Sequence, residues 1–486
     1  MVTGKKVAVG DEAVRKFTGL ASDSREIKAG FLFAAIPGTK GDGASFVADA
    51  VGRGAVAVLG MPEIAAAVES AGVEFIPADN PRAALATLAA AFYGAQPATI
   101  AAVTGTNGKT SITVFLREIW TALGKRAASM GTIGVVTPER TIMLHHTTPG
   151  PIDVQRILAD VKNDGIDYLA LEASSHGLDQ HRLDGAEIAA VAFTNLTPDH
   201  RDYHPTIEHY LNAKLRLFRD LARDGAAAVV NADAECSEAF IAAAAERGLK
   251  LITVGENGGG LKLVARTPSL DGQTLDILYA GKTHRVELPL AGAFQASNAL
   301  VAAAMAIGLG EPADSVFAAL EHLKGAPGRL ERVAVAASGA PVFVDYAHTP
   351  DALENVLAAL RPHTERKLVV VFGCGGDRDK AKRPQMGEIA HRLADAVIVT
   401  DDNPRTEVAA EIRREILAGS SDAVEIGDRA EAIRTAIAGL GAGDILVIAG
   451  KGHEAGQVVG TTTHPFNDRD EAVKAAIAQG GREYSR

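Results

Sequence analysis

Residues 104–111, TGTNGKTS, place a lysine and two hydroxyl side chains directly after two closely spaced glycines. Such a turn can hold phosphate oxygens with its backbone N–H groups, and a lysine beside it neutralises phosphate charge. The common phosphate-loop pattern, G-x-x-x-x-G-K-[ST], would need a glycine at position 103, where this chain has Val103. The stretch therefore predicts a shortened phosphate loop, and the alternative is a glycine-rich turn that carries a chance lysine.

A strand and a helix must flank this loop if it holds phosphate. The apolar run TIAAVT at residues 99–104 precedes it, and the amphipathic stretch ITVFLREIWTAL at residues 112–123 follows it. In a strand, loop and helix of this kind, the loop amides and the helix N-terminus bind phosphate. Lys109 would then neutralise the β and γ phosphates of a nucleotide, and Thr110 would ligate Mg²⁺.

A second residue that could do chemistry is Lys214, which lies within an apolar stripe. Residues 206–225 predict a helix whose apolar side chains recur at helical spacing, namely Ile207, Tyr210, Leu211, Leu215, Phe218 and Leu221. An ammonium that faces a core is costly, so such a lysine is paired, has a lowered pKa or is chemically altered. The alternative is a lysine that extends to solvent at the rim. Periodicity alone leaves both interpretations open.

Composition narrows the class of protein. The 486 residues are 47% hydrophobic and 22% charged, with a net charge of -11, so no basic field is expected and nucleic acid is not an expected partner. Cys236 and Cys374 are far apart and lack metal-ligand spacing, which indicates a reducing compartment and favours the cytoplasm. The first 17 residues lack the apolar core of a signal peptide.

Residues 83–108 carry no charge, which is long enough to span a bilayer. Gly94, Gln96 and Pro97 interrupt this segment, so an apolar helix, a turn and a strand explain it better. We therefore expect a soluble protein without membrane insertion, with a monomer as the default.

Apolar runs that alternate with helical stretches predict an α/β protein, in which helices cover the faces of parallel sheets. At about 150 residues per domain, the length suggests roughly three domains. The turn at residues 94–97 and the Gly/Pro-rich stretch GAPGRLERV at residues 325–333 mark the expected boundaries. The predicted domains are residues 1–96, 97–330 and 331–486.

Three apolar runs in the last predicted domain end in polar loops: KLVVVFGCGGDRDKAKR, DAVIVTDDNPRTE and DILVIAGKGHE. Loops at the carboxyl ends of parallel strands share one rim of a sheet, so we expect these loops to line one crevice. Asp402 and Arg405 could present an acceptor and a bidentate donor to a zwitterionic group. An ordinary Asn-Pro turn is the alternative.

TGTNGKTS resembles the shortened ATP loop of the Mur ligase family, the ATP-dependent amide ligases of peptidoglycan assembly, and of the related folylpolyglutamate synthases. Blocks similar to those of the family continue in family order across essentially the whole chain: DSREIKAGFLFAAIPGTKGDG, LEASSHGLDQHR, TNLTPDHRDYH, YLNAKLRLF, GRLERV, DYAHTPDAL and DNPR. The resemblance implies an N-terminal UDP-binding α/β domain, a central parallel-sheet domain like that of P-loop ATPases and a C-terminal Rossmann-like domain, which close over the substrates.

The resemblance also implies how ATP and Mg²⁺ are bound. The expected ATP contacts are Gly105, Thr106, Asn107, Gly108, Lys109, Thr110, Ser111, Asn298, Arg329, Asp345 and His348. The block A-K-x-x-L-F is similar to the one whose lysine is carbamylated, so Lys214 would become a carboxylate-like metal ligand beside Thr110, Glu172 and His200. Lys109, Lys214 and His200 are the expected catalytic residues. Without the family, a loop histidine with no metal role is the simpler interpretation of His200.

The implied substrates are UDP-MurNAc-L-Ala-D-Glu and meso-diaminopimelate. The expected contacts of the nucleotide-sugar peptide are Ser22, Ser24, Thr39, Lys40, Gly41, Thr147, Thr148, Ser174, Gln180 and Arg182. His146 stands where the family pattern has Asn. DNPR resembles the signature of members that add diaminopimelate, and the expected contacts of that amino acid are Arg378, Asp402, Asn403, Arg405, Gly450 and Glu454.

The expected reaction forms an amide through an acyl phosphate made from ATP. The nearest alternatives are a lysine-adding ligase, which DNPR disfavours, and a folylpolyglutamate enzyme, which the DSR and SSHGLDQHR blocks disfavour. A different class of protein, an ATP-driven switch, would hydrolyse ATP without depending on an amino acid.

Overall fold

The computed structural model describes residues 16–38, 43–197, 199–200 and 203–484. Thr39, Lys40 and Gly41, three of the expected nucleotide-sugar contacts, lie outside the described residues. The chain packs as two compact units, Met1–Thr253 with Ala304–Glu311, and Val254–Ala303 with Pro312–Arg486. Parallel sheets with helices along the chain confirm the predicted α/β class.

The first unit begins with a small parallel sheet. Its strands are β1 (Gly19–Ala21), β2 (Phe31–Ala34), β3 (Ala55–Gly60) and β4 (Glu74–Pro77), in the order β1-β2-β3-β4. Its helices are α1 (Val47–Gly52), α2 (Ala65–Ser70) and α3 (Pro81–Tyr93), with 3-10 turns at Ser24–Glu26, Gly43–Phe46 and Pro62–Ile64. Leu32 and Leu59 are buried on one side of the sheet, while Phe33 and Val58 belong to a separate core cluster. Both faces are therefore covered, as parallel sheets require.

The uncharged segment folds as predicted. The Asn80 side chain caps α3 by accepting a hydrogen bond from the Ala83 N–H, and the helix ends at Gly94, whose φ of 70° is left-handed. Strand β5 (Thr99–Thr104) follows. No helix in the described ranges is long and apolar enough to cross a membrane.

A larger sheet forms the rest of this unit. After β5 come the strands β6 (Ala127–Gly131), β7 (Gly134–Val136), β8 (Thr141–Ile142), β9 (Tyr168–Glu172), β10 (Ile188–Phe193), β11 (Ala222–Asn231) and β12 (Lys250–Gly255). The helices are α4 (Lys109–Ala122), α5 (Pro151–Asn163), α6 (Ser175–Asp179), α7 (Ile207–Arg216) and α8 (Ser237–Glu246). Strands β11, β10, β5, β9 and β6 are parallel neighbours in that order, and β7 and β8 continue antiparallel. The loop after β5 thus leaves the middle of the sheet.

The predicted helix over residues 206–225 is wrong in its last part. Helix α7 ends at Arg216, a π-helical turn covers Leu217–Leu221, and β11 begins at Ala222. Residues 226–230 are buried in a strand that pairs with β10. This pairing joins segments that are distant in the sequence, so helical periodicity does not reveal it. Ile207, assigned to the apolar stripe, is 56% exposed.

The second unit carries a run of three antiparallel strands and the C-terminal sheet, which has seven strands. Its strands are β13 (Leu261–Ser269), β14 (Gly272–Tyr279), β15 (Lys282–Leu288), β16 (Glu331–Val335), β17 (Pro341–Asp345), β18 (Leu368–Phe372), β19 (Ala396–Val399), β20 (Val424–Glu425), β21 (Ile445–Ala449), β22 (Gly456–Val459), β23 (Thr462–Pro465) and β24 (Arg482–Glu483). The helices after α8 are α9 (Ala293–Gly308), α10 (Ala313–Leu320), α11 (Pro350–Leu360), α12 (Lys382–Leu393), α13 (Ala409–Leu417), α14 (Arg429–Ala438) and α15 (Asp468–Ala478), with a 3-10 turn at Arg361–His363.

The C-terminal sheet has the order β20-β19-β18-β21-β17-β16-β24. Strands β20 to β17 in this order are parallel, whereas β16 pairs antiparallel with β17 and β24. Along β18, Val370 and Phe372 belong to one core cluster while Val369 and Val371 belong to another. The strands β18, β19 and β21 are thus neighbours, so the three polar loops leave one rim, as predicted.

A buried ion pair stabilises this rim of the sheet. Arg429 and Asp468 are both 0% exposed and are joined by two hydrogen bonds of 2.7 and 2.8 Å. Arg429 also donates to the carbonyl oxygens of Ala449 at 2.9 Å and Asp401 at 3.3 Å, at the ends of β21 and β19. The guanidinium therefore holds the starts of two of the three loops.

We expect Arg429→Met to lower the free energy of unfolding by about 3–5 kcal/mol, because Asp468 would be left buried without its partner. The double variant Arg429→Met with Asp468→Leu should regain most of this loss. Urea denaturation followed by circular dichroism measures both. Arg156→Met, which breaks a half-exposed pair with Asp153, is the control and should change stability by less than about 1 kcal/mol. A double variant no more stable than the single would contradict the explanation.

Candidate active site

The phosphate loop spans the end of β5 and the start of α4. Gly105 has a φ of 148° and Gly108 one of 89°, so both adopt backbone conformations that favour glycine. Lys109 Nζ donates to the carbonyl oxygens of Gly105 at 2.9 Å and Thr106 at 2.7 Å, and so lies across the loop. Thr110 and Ser111 are buried at the helix start. The predicted strand, loop and helix geometry is present.

The loop rests on the segment after β10. The Asn195 side chain accepts from the Asn107 N–H at 2.9 Å, and Thr194 Oγ1 donates to the Asn107 carbonyl at 2.6 Å. Thr106 Oγ1 accepts from the Thr197 N–H at 3.0 Å. These supporting residues stand in the block TNLTPDHRDYH, yet sequence reasoning assigned them no role.

Glu172, at the carboxyl end of β9, is 1% exposed and faces the loop. Its Oε1 accepts from Thr110 Oγ1 at 3.0 Å and from the Thr132 N–H at 2.8 Å. The two residues predicted to ligate Mg²⁺ from β9 and α4 therefore lie together, and a hydroxyl beside a carboxylate is a donor set that suits this cation.

Lys214 is 1% exposed, which excludes the interpretation that it extends to solvent. Its Nζ donates to the carbonyl oxygen of Gly105 at 2.8 Å and lies 4.3 Å from the ring centre of Tyr210. Burial, together with the positive charge of Lys109, holds the pKa of Lys214 well below its usual value. A buried lysine with a lowered pKa presents a neutral amine, which is nucleophilic.

The structure does not bring His200 into this group. Its side chain is 43% exposed, its φ is 52°, and its ring packs at 4.9 Å from that of His176. In the described part of the chain, no hydrogen bond joins His200 to Thr110, Glu172 or Lys214. Nor do three His, Cys, Asp or Glu side chains there form a group that could hold a metal ion.

The expected contacts of the nucleotide-sugar peptide in this unit are partly joined to one another. Thr148 Oγ1 donates to the Glu172 carbonyl at 2.9 Å and accepts from the Ser174 N–H at 3.1 Å. Arg182 donates to the Thr148 carbonyl at 2.6 Å and to Gln180 Oε1 at 2.8 Å. The Thr147 hydroxyl lies 3.2 Å from that of Thr132. These residues therefore line the side of the sheet rim next to Glu172.

Ser22 and Ser24 lie apart from that group, on the small N-terminal sheet. Ser22 is exposed in the turn after β1, while Ser24 is buried and hydrogen-bonds to Asp49. His146 is exposed.

The expected ATP contacts of the second unit gather around the end of β17. Burial raises the pKa of Asp345 to about 6, although Arg329 and two backbone N–H groups lower it. The Arg329 guanidinium lies 4.9 Å from the ring centre of Tyr346, and His348 Nδ1 lies 2.9 Å from the Tyr346 carbonyl oxygen. Asn298 joins the same group through Gln295, which donates to the Arg329 carbonyl at 2.9 Å. Tyr346 and Gln295 are the residues that sequence reasoning missed here.

Two of the three polar loops of the C-terminal sheet are tied together by Asn403. Its Nδ2 donates to Glu454 Oε2 at 2.9 Å, and its Oδ1 accepts from the Val458 N–H at 2.9 Å. Arg405, with a φ of 50°, donates from Nη1 to the Gly376 carbonyl at 2.8 Å, which adds the third loop. The three loops therefore lie together at one rim of the sheet, as predicted.

Asp402 and Arg378 are placed differently within the crevice. Asp402 is 6% exposed, and burial raises the pKa of its carboxyl despite the nearby Arg429 and Lys451. Its Oδ2 lies against Gly450, where an added Cβ would come within 2.7 Å. Arg378 is exposed and donates to the Asp377 carbonyl. Arg405 and Glu454 are partly exposed.

These features define an α/β protein with a phosphate-loop strand and helix, a buried amine beside that loop and a charged crevice on its C-terminal sheet. Three family descriptions match the chain: "Mur ligase family, catalytic domain" at residues 16–93, "Mur ligase middle domain" at residues 103–306 and "Mur ligase, glutamate ligase domain" at residues 328–452. The chain belongs to the Mur ligase family.

Two similar proteins and one similar solved structure carry the same name. Proteins of Bradyrhizobium diazoefficiens and of a Chelativorans species, named "UDP-N-acetylmuramoyl-L-alanyl-D-glutamate--2,6-diaminopimelate ligase", are 56% and 55% identical to this chain. The alignments cover 96% of both chains in the first case and 94% of both in the second. A solved structure of a ligase with this name is 35% identical, covers 95% of both chains and has a TM-score of 0.75.

We expect Gly105→Ala to weaken nucleotide binding at least about tenfold, or 1.4 kcal/mol. The added Cβ would lie 1.8 Å from Thr194 Oγ1, so the loop would have to move. Calorimetric titration with ADP measures the change. Gly124→Ala is the control, because Gly124 also has a positive φ of 76° but nothing lies within 4 Å of its added Cβ. Equal affinity of the two variants would contradict this account.

We expect Lys214→Met to unfold at a higher temperature than the parent at pH 7 in buffer freed of CO₂. The variant avoids burying an amine, and it should also lose at least about 100-fold in activity. Because the folded-state pKa of Lys214 is lowered, the unfolded chain binds the extra proton below pH 10.5. The destabilisation by Lys214 therefore fades as pH rises towards 10.5.

The stability gain of Lys214→Met should accordingly shrink between pH 7 and pH 9.5, as measured by scanning calorimetry. Lys162→Met makes the same change at a side chain that is 40% exposed and should show no such trend. A gain that grows with pH would refute the assignment of a neutral buried amine.

Proposed function

We propose that this protein is an ATP-dependent amide ligase that joins meso-2,6-diaminopimelate to the D-glutamyl residue of UDP-MurNAc-L-Ala-D-Glu, a step of peptidoglycan synthesis. The observation that carries this proposal is the identity of 55–56%, over nearly the whole chain, to two ligases with that name. The crevice formed by DNPR and GKGHE is the structural feature that supports the choice of amino acid.

In the proposed reaction, the γ-carboxylate of the D-glutamyl residue attacks the γ-phosphorus of ATP, and ADP leaves. An amine of diaminopimelate then attacks the acyl carbon, and phosphate leaves with the carboxylate oxygen. The loop amides after Gly105 and the Lys109 ammonium would hold the phosphates and offset their charge. Positioning and cations suffice for this chemistry, so no side-chain nucleophile is needed.

Thr110 and Glu172 would hold Mg²⁺, which supplies charge neutralisation at the phosphates when bound. Carbamylation requires a neutral amine that attacks CO₂, and the lowered pKa of Lys214 favours that form. The N–C bond forms as one C=O bond of CO₂ opens, and the nitrogen loses a proton. The product is an anionic carbamate, which is a metal ligand. His200 is proposed as a further ligand of this site.

Two substrate pockets are proposed at the rims of the sheets. Thr147, Thr148, Ser174, Gln180 and Arg182 would bind the sugar peptide next to Glu172. The uridine diphosphate would lie on the N-terminal sheet, near Ser22 and Ser24. Asn298, Arg329, Asp345 and His348 are proposed as further contacts of ATP.

We also propose the division into domains at residues 1–96, 97–330 and 331–486, a monomeric state and a cytoplasmic location. The family matches at residues 16–93, 103–306 and 328–452 fall close to this division.

We expect phosphate release from ATP and Mg²⁺ with UDP-MurNAc-L-Ala-D-Glu to require meso-diaminopimelate and to yield the tripeptide adduct by mass spectrometry. In this assay, Arg405→Ala should raise the KM for diaminopimelate at least about tenfold and leave that for ATP unchanged, because a bidentate carboxylate partner is lost.

Arg414→Ala, at a side chain 71% exposed on α13, is the matched control and should behave like the parent. Activity with L-lysine in place of diaminopimelate would support the ligase function but contradict the proposed diaminopimelate pocket. If the rate of ATP hydrolysis does not depend on the amino acid and no adduct forms, the protein would instead be a nucleotide-driven switch.

A further inference from the structure

Lys451 is a charged residue in the crevice to which no role has been assigned so far. It follows β21 in GKGHE, and its side chain is 0% exposed. Its Nζ donates to Asn403 Oδ1 at 3.0 Å and to Glu454 Oε2 at 2.9 Å. Asn403 Nδ2 donates to the same Glu454 oxygen at 2.9 Å, so the three side chains form a closed triangle.

The triangle fixes the orientation of the Asn403 amide. Asn403 Oδ1 faces two donors, Lys451 Nζ and the Val458 N–H at 2.9 Å. A flipped amide would turn its NH₂ group towards both donors and leave Glu454 without this partner. Lys451 therefore decides which atom of Asn403 meets Glu454.

The triangle also divides the two oxygens of Glu454. Oε2 accepts from both Lys451 and Asn403, whereas no hydrogen bond to Oε1 is present among the described residues. The Glu454 side chain is 35% exposed. Hydrogen bonds from Asn403 and the charge of Lys451 lower the pKa of Glu454 more than burial raises it. The result is a fixed, ionised carboxylate with one oxygen available to a cation.

We propose that Lys451 is a specificity-determining positioning residue, which holds Glu454 so that its free oxygen receives the far ammonium of the amino-acid substrate. This inference rests on the proposed function. Lys451 itself is buried, so it acts through Glu454 and Asn403. A long, flexible carboxylate fixed in advance loses less conformational entropy when the ammonium binds.

The test compares two amino acids that differ only at the far amine. Diaminopimelate has it, while 2-aminopimelate keeps both carboxylates and a single amine. The preference ratio is kcat/KM for diaminopimelate divided by kcat/KM for 2-aminopimelate. We expect Lys451→Met to lower this ratio about 10- to 100-fold, the range for a hydrogen bond to a charged group, with the KM for ATP unchanged. Lys474→Met, at a side chain 76% exposed, is the control and should keep the parent ratio.

A purely structural role for Lys451 would affect both amino acids alike. An unchanged ratio in Lys451→Met would therefore overturn the inference, whatever the loss in total activity. A parent protein that ligates no diaminopimelate would overturn the proposed function as well. If the parent is active, the preference ratio tests the role of Lys451 alone.

Lys451→Met could fail to fold because it leaves Glu454 without its cation. The double variant Lys451→Met with Glu454→Gln avoids this problem and is compared with Glu454→Gln alone. If Lys451 acts through Glu454, the two variants have the same preference ratio. A further drop of tenfold or more in the double variant would show that Lys451 acts elsewhere and would overturn the inference.

Discussion

The constraint on which this structure depends is that a parallel sheet is covered on both faces, so polar chemistry is confined to its edges. Along β18, alternate residues enter separate cores, and the first charged side chain after the strand is the exposed Asp377. The same holds for β5, whose last residue leads into the phosphate loop. In each sheet, the reactive residues therefore lie at the carboxyl ends of the strands.

Three basic side chains beside these edges are buried, and each of them has different partners. Arg429 has a buried carboxylate partner, and Lys451 has both a carboxylate and an amide. Among the described residues, Lys214 donates to a carbonyl oxygen and packs against an aromatic ring, neither of which carries a full negative charge. The first two side chains are accordingly paired, whereas burial holds the pKa of Lys214 well below its usual value.

Local sequence patterns predicted those parts of the site whose structure depends only on neighbouring residues in the chain. The strand, glycine turn and helix of the phosphate loop, and the break at Gly94, follow from residues within one short window. The partner of Lys214, Gly105, lies 109 positions away, so periodicity could show a lysine in a stripe but not which alternative holds. The strand at Ala222–Asn231 was missed for the same reason, since its pairing with β10 decides it.

The loops of the C-terminal sheet show that a short motif predicts which residues are neighbours better than it predicts what each residue does. DNPR places Asp402 and Arg405 three positions apart, which suggested that both meet the substrate. The backbone turn sends Asp402 inward, against Gly450, and leaves Arg405 at the loop surface with Gly376. A buried carboxylate there still lowers the cost of the nearby cations Arg429 and Lys451, which hold the loops. In the proposed function, Arg405 and Glu454 would recognise the zwitterion; they come from different loops, so this recognition would require the whole rim to be in place.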